Sequence, residues 1–151
     1  MPTGFKITRT VEFAETDMAG IMHFSNFFRW MEACETALYR RLKLPLISFA
    51  PGQVVGWPRV RVLCEFHAPL RFSDTVEVRL YLKEIRTRAV VYAFHFHKLV
   101  QGRPQARPCA RGEVTAVCVK PAGTAGGMVS APIPRAVRAK LKAAARPVPT
   151  R

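Results

Sequence analysis

Residues 11–39, VEFAETDMAGIMHFSNFFRWMEACETALY, contain the arrangement with the clearest chemical meaning in this chain. A strand-like run ends at the carboxylate of Asp17, a short turn through Gly20 follows, and Ser25 is a plausible cap for a long amphipathic helix. The first N–H groups of a helix have no partner within the helix, and its N-terminus carries partial positive charge. A carboxylate beside such donors suits acyl-transfer chemistry, because the donors stabilise the oxyanion that forms.

Asp17 also has a purely structural interpretation, since an aspartate in a turn commonly hydrogen-bonds its own backbone. The only other aspartate, Asp74, lies in a hairpin-like turn. A catalytic role would need an ionised carboxylate, which a helix N-terminus favours and burial opposes. Taken alone, Asp17 does not decide between the two roles.

Hydrophobic periodicity predicts one strand, one long helix and several antiparallel strands, in that order. Alternating apolar residues indicate strands near 5–13, 60–66, 76–83, 90–97 and 114–119, and helical spacing indicates helices at 25–43 and 134–146. One helix can cover a sheet of five such apolar strands only if the sheet wraps around it. The pattern therefore favours an α+β fold.

The segment around Asp17 resembles the active-site segment of the 4-hydroxybenzoyl-CoA thioesterase family of hotdog-fold enzymes. The family pattern, aromatic-x-x-x-Asp-x-x-Gly-apolar-apolar-x-aromatic-x-Asn-aromatic, is filled here by Phe13, Asp17, Gly20, Ile21, Met22, Phe24, Asn26 and Phe27. The resemblance covers about residues 5–120 and implies a hotdog fold, in which an antiparallel five-stranded sheet wraps around one long central helix. We expect a single domain over 1–151, with a core at about 5–120 and a basic C-terminal extension, including a short helix, at about 121–151.

This resemblance implies an acyl-CoA thioesterase, which hydrolyses an acyl- or aroyl-CoA to a carboxylic acid and CoA. Asp17 would attack the thioester carbonyl or activate a water for that attack, and the backbone N–H of Phe24 would polarise the carbonyl. His23 is a weaker candidate, as a proton shuttle beside the carboxylate. A second class of hotdog thioesterases carries its catalytic glutamate on the helix, so Glu32 and Glu35 are the alternative carboxylates.

Other residues are candidates for binding the substrate or shaping its site. Gly20 is expected to adopt a turn conformation that other residues disfavour, and Asn26 to bond the Asp17 loop or cap the helix. Trp57 could line an acyl pocket or pack on the core. No glycine-rich phosphate loop is present, so CoA phosphates would meet basic side chains. The candidates are Arg59, Arg61, Arg86, Arg88 and Lys120.

We expect no metal and no cofactor other than the coenzyme A of the substrate. The four cysteines lie far apart without a CxxC pair, which is atypical of zinc sites and typical of buried free thiols. His95 and His97 alternate on one strand face, but no acidic residue or cysteine lies near them in sequence to complete a metal site.

The net charge of +14 sets the range of partners, and residues 135–151 contain no acidic residue. The positive electrostatic field of such a charge would attract a phosphate-rich ligand such as CoA, an anionic membrane or nucleic acid. The charge could also be unrelated to any ligand. No aromatic–basic recognition motif appears, so nucleic acid is not expected. Two alternatives to the enzyme stay open: a hotdog protein that binds acyl-CoA or acyl carrier protein without hydrolysis, and a basic nucleic-acid or membrane-associated protein.

Two further expectations concern location and assembly. No apolar run approaches the ~20 residues of a membrane span, and residues 1–10 lack the apolar region of a secretory signal, so we expect a cytoplasmic protein. The family resemblance implies a homo-oligomer, a dimer or a tetramer, with the site between two subunits. Open sheet edges favour the same expectation, since they would otherwise risk aggregation.

Overall fold

A computed structural model describes residues 4–46, 56–123 and 126–144. The two helices are α1 (Ser25–Arg41) and α2 (Arg135–Ala144). The strands are β1 (Phe5–Thr10), β2 (Arg59–Phe66), β3 (Thr75–Ile85), β4 (Ala89–Val100), β5 (Arg103–Pro104), β6 (Ala110–Val117), β7 (Val119–Ala122) and β8 (Gly127–Ser130). In these ranges no helix is long and apolar enough to cross a membrane.

Five strands form one antiparallel sheet in the order β1-β3-β4-β6-β2, and the two-residue β5 pairs with the end of β4. Strands β7 and β8 form a separate hairpin. The predicted antiparallel five-stranded sheet is therefore confirmed, with β2 at one edge and β1 at the other.

Helix α1 packs its apolar stripe against this sheet. Phe27, Met31, Cys34 and Leu38, spaced three or four residues apart, are all buried in one core cluster with inward-facing strand residues. The approach is close, since a Cβ added at Gly112 on β6 would lie 2.7 Å from the Met31 sulfur. The sheet thus wraps around one long helix, which is the predicted hotdog arrangement.

The ends of the first strand and of α1 differ from the predictions. β1 stops at Thr10, because a 3₁₀ turn at Phe13–Glu15 interrupts the extended chain. Ser25 is not the N-cap: Phe24 occupies that position in a helical conformation, φ −54° and ψ −31°, with no side-chain cap.

The C-terminus of α1 has the hydrogen bonds of a Schellman motif. The helix ends at Arg41, and Lys43 turns into the left-handed region at φ 54°. The Lys43 N–H donates to the Arg40 carbonyl at 3.1 Å, and the Leu44 N–H donates to the Tyr39 carbonyl at 2.9 Å. The helix therefore stops slightly before the predicted residue 43.

Residues beyond 120 contribute to the same core. Ala131, Ile133 and Leu141 are buried within the main cluster, and Val137 packs against it. The described part of the C-terminal extension is therefore docked on the domain through α2, although the exposed face of that helix is basic.

Candidate active site

A cavity of about 440 Å³ lies between the Asp17 loop, the start of α1 and the end of β2. Asp17 is the only carboxylate among the described residues that line it, and the remaining wall is mostly apolar. Phe24 and Phe27 come from the start of α1, and Phe66 ends β2. The fold thus brings Asp17 and Phe24, the residue whose N–H is the predicted donor, to one concave surface.

The loop holds Asp17 through one of its two carboxylate oxygens. Oδ1 accepts the Ala19 N–H at 2.8 Å and, more weakly, the Ile21 N–H at 3.4 Å. The backbone closes the turn as well, because the Gly20 N–H donates to the Asp17 carbonyl at 3.0 Å and Gly20 has a φ of 77°. No donor within the described ranges reaches Oδ2. Asp17 can therefore stabilise the turn through Oδ1 while its Oδ2 stays available for a reaction.

The Phe24 N–H is a donor at the N-terminus of α1 without a partner among the described residues. Neighbouring amides are paired, since the His23 N–H donates to the Glu15 carbonyl at 2.8 Å and the Asn26 N–H to the His23 carbonyl at 3.0 Å. No acceptor in the described part of the chain pairs with the Phe24 N–H. An unpaired amide at a helix N-terminus, where the helix dipole is positive, can bind an anion or a developing oxyanion.

Asn26 and Trp30 attach the start of α1 to the turn that precedes Asp17. The Asn26 side-chain amide donates to the Glu15 carbonyl at 2.9 Å, and the Trp30 indole donates to Glu15 Oε2 at 2.8 Å. Asn26 is buried and does not line the cavity. In this structure it positions the loop relative to the helix, while contact with a substrate stays a prediction.

The two histidines nearest the site occupy different places. His23 is exposed, its Nδ1 lies 2.8 Å from the Ser25 hydroxyl and accepts the Ser25 N–H, and it does not line the cavity. His67, which sequence reasoning passed over, does line it. Its backbone N–H donates to the Cys109 carbonyl at 2.8 Å. No local signal marked His67, because its position depends on how β2 approaches α1.

The residues predicted to bind CoA do not line the Asp17 cavity, and most already have partners. Arg59 bonds Glu35 and the Trp57 carbonyl, Arg61 pairs with Glu113, Arg86 with Glu84, and Arg88 donates to the Ser130 carbonyl. Lys120 is exposed on β7 and makes no ion pair with any described residue. Their contact with CoA phosphates stays a prediction.

Trp57 and Glu35 belong to the buried interior. Trp57 is buried, with its ring centroid 6.1 Å from that of Tyr39. Glu35 Oε2 lies 2.6 Å from Arg59 Nη2, whereas Oε1 is buried without a hydrogen-bond partner among the described residues. Burial raises the pKa of Glu35 to about 7, outweighing the opposite effect of Arg59. Neither Glu35 nor the exposed Glu32 lines the Asp17 cavity.

The remaining histidines and the thiols lie apart from this cavity. Burial lowers the pKa of His95 to about 4, and His97 Nδ1 is 2.7 Å from the Gln105 carbonyl. Burial also raises the pKa of Cys34 and of Cys64 to about 12, which disfavours their thiolates. Within residues 4–46, 56–123 and 126–144, no three metal-ligating side chains cluster around a common point.

A sheet wrapped around one long helix is the hotdog fold, and in this chain a carboxylate lies near the N-terminus of that helix. A sequence profile of the thioesterase-like superfamily matches residues 11–141. The chain therefore belongs to this superfamily, and the expected family membership is confirmed.

Curated relatives are named as hydrolases of CoA thioesters. The 1,4-dihydroxy-2-naphthoyl-CoA hydrolase of Synechococcus sp. (strain RCC307) is 31% identical over 88% of this chain and 97% of its own length. The enzyme of the same name from Prochlorococcus marinus (strain NATL1A) is 30% identical, over 61% of this chain and 66% of that protein. A putative acyl-CoA thioesterase of Bacillus subtilis (strain 168) is 31% identical over 58% and 62%. The chain thus spans less than two thirds of the length of the latter two relatives.

Solved structures agree on the fold. A gentisyl-coenzyme A thioesterase superposes with a TM-score of 0.70 at 33% identity, covering 89% of this chain and 98% of that one. A mutant 4-hydroxybenzoyl CoA thioesterase complexed with 4-hydroxybenzoyl CoA superposes with a TM-score of 0.78 at 19% identity, covering 89% and 96%. The second likeness shows the shared fold alone.

Proposed function

We propose that this protein is an acyl-CoA thioesterase that converts an acyl- or aroyl-CoA and water to a carboxylic acid and CoA. The observation that carries the proposal is the shared cavity of Asp17 and Phe24, in which one carboxylate oxygen and one helix N-terminal N–H lack partners among the described residues. Thioester hydrolysis needs both a nucleophile or base and an oxyanion donor. Superfamily membership supports the same chemistry.

In the proposed mechanism, the thioester carbonyl oxygen accepts the Phe24 N–H. Asp17 Oδ2 either attacks the carbonyl carbon or takes a proton from a water that attacks it. The carbonyl π electrons move to oxygen, where the helix N-terminus stabilises the negative charge. When the carbonyl re-forms, the C–S bond breaks and the CoA thiolate takes a proton. If Asp17 is the nucleophile, water then cleaves the resulting anhydride and releases Asp17.

An aromatic acyl group fits the apolar wall of the cavity. The rings of Phe27 and Phe66 meet edge to face at 5.0 Å, and Phe24 keeps 59% of its surface exposed. Aromatic rings favour such edge and offset contacts with other rings. Two relatives are named as a 1,4-dihydroxy-2-naphthoyl-CoA hydrolase and a gentisyl-coenzyme A thioesterase. Both names support an aroyl-CoA as the substrate class.

Homodimerisation through the edge of β2 is part of the proposal. β2 pairs with β6 on one side, and Val60, Val62 and Phe66 are 64%, 51% and 48% exposed. No other described strand pairs with the remaining edge of β2. An edge of this kind accepts another strand, and a second copy would bring one beside Phe66 at the cavity wall. Val62→Lys should shift the protein toward monomers in light scattering, whereas Thr8→Lys, on an exposed position of β1, should not. Equal masses for both variants and the wild type would contradict this interface.

The hydrolytic mechanism is tested by removing each group separately. Asp17→Asn keeps the size of the side chain but cannot attack or take a proton, so kcat should fall on the order of 10²–10⁴-fold. Phe24→Pro removes the N–H, and the φ of −54° at this position already suits proline. Its kcat should fall on the order of 10²–10³-fold.

Phe24→Ala is the matched control for the proline variant, because it removes the ring and keeps the N–H. It should retain much more activity than Phe24→Pro on a panel of acyl- and aroyl-CoA esters. Near-normal turnover by folded Asp17→Asn would reject the mechanism. Tight acyl-CoA binding without turnover by the wild type would instead support the non-hydrolytic alternative.

A cytoplasmic location stays a prediction.

A further inference from the structure

A second and larger cavity lies at the opposite end of α1 from Phe24. Its volume is about 800 Å³, and it is bordered by β1, the last turn of α1 and helix α2. Helix α1 has 17 residues and therefore separates the two ends by about 25 Å. We call this space the basic cavity and define it by Phe5, Leu38, Leu42, Arg41, Lys43 and Lys140.

The basic cavity combines an apolar floor with a cationic rim. Phe5, Leu38 and Leu42 belong to or pack against the hydrophobic core, and the short Ala143 and Ala144 side chains leave the space beside them open. No carboxylate occurs among its described lining residues. Lys6 also lines the cavity and pairs with Glu77 at 2.8 Å, whereas Arg41, Lys43 and Lys140 form no ion pair in the described ranges. The cavity is therefore electrostatically complementary to an anion.

Two of the cations are held in place by the fold. The Arg41 guanidinium lies 5.8 Å from the centroid of the Phe5 ring, which places charge directly above the apolar floor. Lys140 Nζ donates to the Leu42 carbonyl at 3.0 Å, and its ammonium has two further donors. Positioned donors lose less conformational freedom when a ligand binds.

Lys43 provides an independent observation. It occupies the left-handed position after α1, at φ 54°, where glycine is the favoured residue. A lysine here is conformationally costly, and its ammonium adds to the charges of Arg41 and Lys140 on the rim of the basic cavity. Strain of this kind is commonly associated with function.

We propose that the basic cavity binds a small amphiphilic anion, an apolar chain that ends in a carboxylate. Its volume lies within the range of small-molecule sites, and its apolar surface lies in a concavity between three elements. The exposed face of α2 carries basic and alanine side chains, without the large apolar residues by which an interfacial helix enters a membrane. A free amphiphile therefore fits better than a membrane surface. The inference does not rest on the proposed thioesterase activity.

The test is calorimetric titration of the full chain with decanoate. Lys43→Gly combined with Lys140→Gln should weaken binding at least tenfold, and glycine suits the backbone at position 43. Arg40→Gln is the matched control, because Arg40 lies in the same helical turn, is exposed and does not line the cavity. The affinity of the Arg40→Gln variant for decanoate should differ from that of the wild type by less than twofold. The wild type should bind 1-decanol and inorganic phosphate at least tenfold more weakly than decanoate.

Equal decanoate binding by the double variant and the wild type would overturn the proposal. Phosphate binding as tight as that of decanoate, displacement of decanoate by CoA, or binding to phosphatidylglycerol vesicles without binding to decanoate would also overturn it. Thioester hydrolysis by the double variant should equal that of the wild type, because the site is remote from Asp17. Failure of this proposal and failure of the proposed enzymatic activity are therefore distinguishable.

Discussion

Replacing Glu35 with glutamine should change how the stability of the protein depends on pH. The Glu35 side chain is 1% exposed, its Oε2 pairs with Arg59 at 2.6 Å, and its Oε1 is buried without a partner in the described ranges. Burial therefore raises its pKa from 4.5 to about 7. At pH values between these two, the folded protein holds a proton on Glu35 that the unfolded chain has released.

The sign and the size of the effect follow from this difference. Because the unfolded chain binds fewer protons, the free energy of unfolding falls as pH rises from 4.5 to about 7. At about 1.4 kcal/mol for each pH unit, that interval corresponds to a loss of about 3 kcal/mol. Glutamine cannot ionise, so Glu35→Gln should lack this loss.

Urea unfolding at pH 5, 6, 7 and 8 measures the effect as the difference between variant and wild type. The difference is the proper readout because His95, whose pKa burial lowers to about 4, contributes the opposite slope below pH 6.5. Glu65→Gln, at an exposed position of β2, is the control and should keep the wild-type dependence. Parallel curves for Glu35→Gln and the wild type would refute the reasoning. A folded Glu35→Gln that no longer hydrolyses thioesters would make Glu35 the catalytic carboxylate.

Two further predictions concern the C-terminal helix and the charge of the protein. Leu141→Ala should lower the free energy of unfolding by about 2–5 kcal/mol in urea, because Leu141 is buried in the core. The exposed Lys142→Ala should change it little, and equal effects would show that α2 is not docked as described. The KM of a full acyl-CoA should rise with salt more than that of the matching pantetheine ester, because exposed charges are screened over about 8 Å at physiological ionic strength. Equal salt dependence would mean that basic residues do not bind the nucleotide.

The spacing of residues along the chain was sufficient for most of the fold. Alternation predicted the strands, and the stripe through Phe27, Met31, Cys34 and Leu38 predicted the buried face of α1. Each of these patterns is local, because it indicates which face of a single strand or helix is buried. The ends of elements were less accurate: Ser25 is a good N-cap residue by type, but Phe24 occupies that position.

The sequence by itself also determined the local part of the candidate site. Asp17, Gly20 and Phe24 lie within eight consecutive residues, so a single turn and a helix start are enough to bring them together. The positive φ of Gly20 and the hydrogen bonds to Asp17 Oδ1 are local consequences of that turn. A motif of this length can be interpreted without knowledge of the rest of the chain.

Only the tertiary structure decided which distant residues complete the site and which do not. His67 and Phe66 reach the cavity because β2 ends beside the start of α1. Arg59, a candidate for CoA binding that stays a prediction, pairs with Glu35, which lies 24 positions earlier on α1. Contacts across such separations depend on strand order and helix packing. The pattern of charges along one strand therefore does not indicate which buried residue on another element a charged side chain will contact.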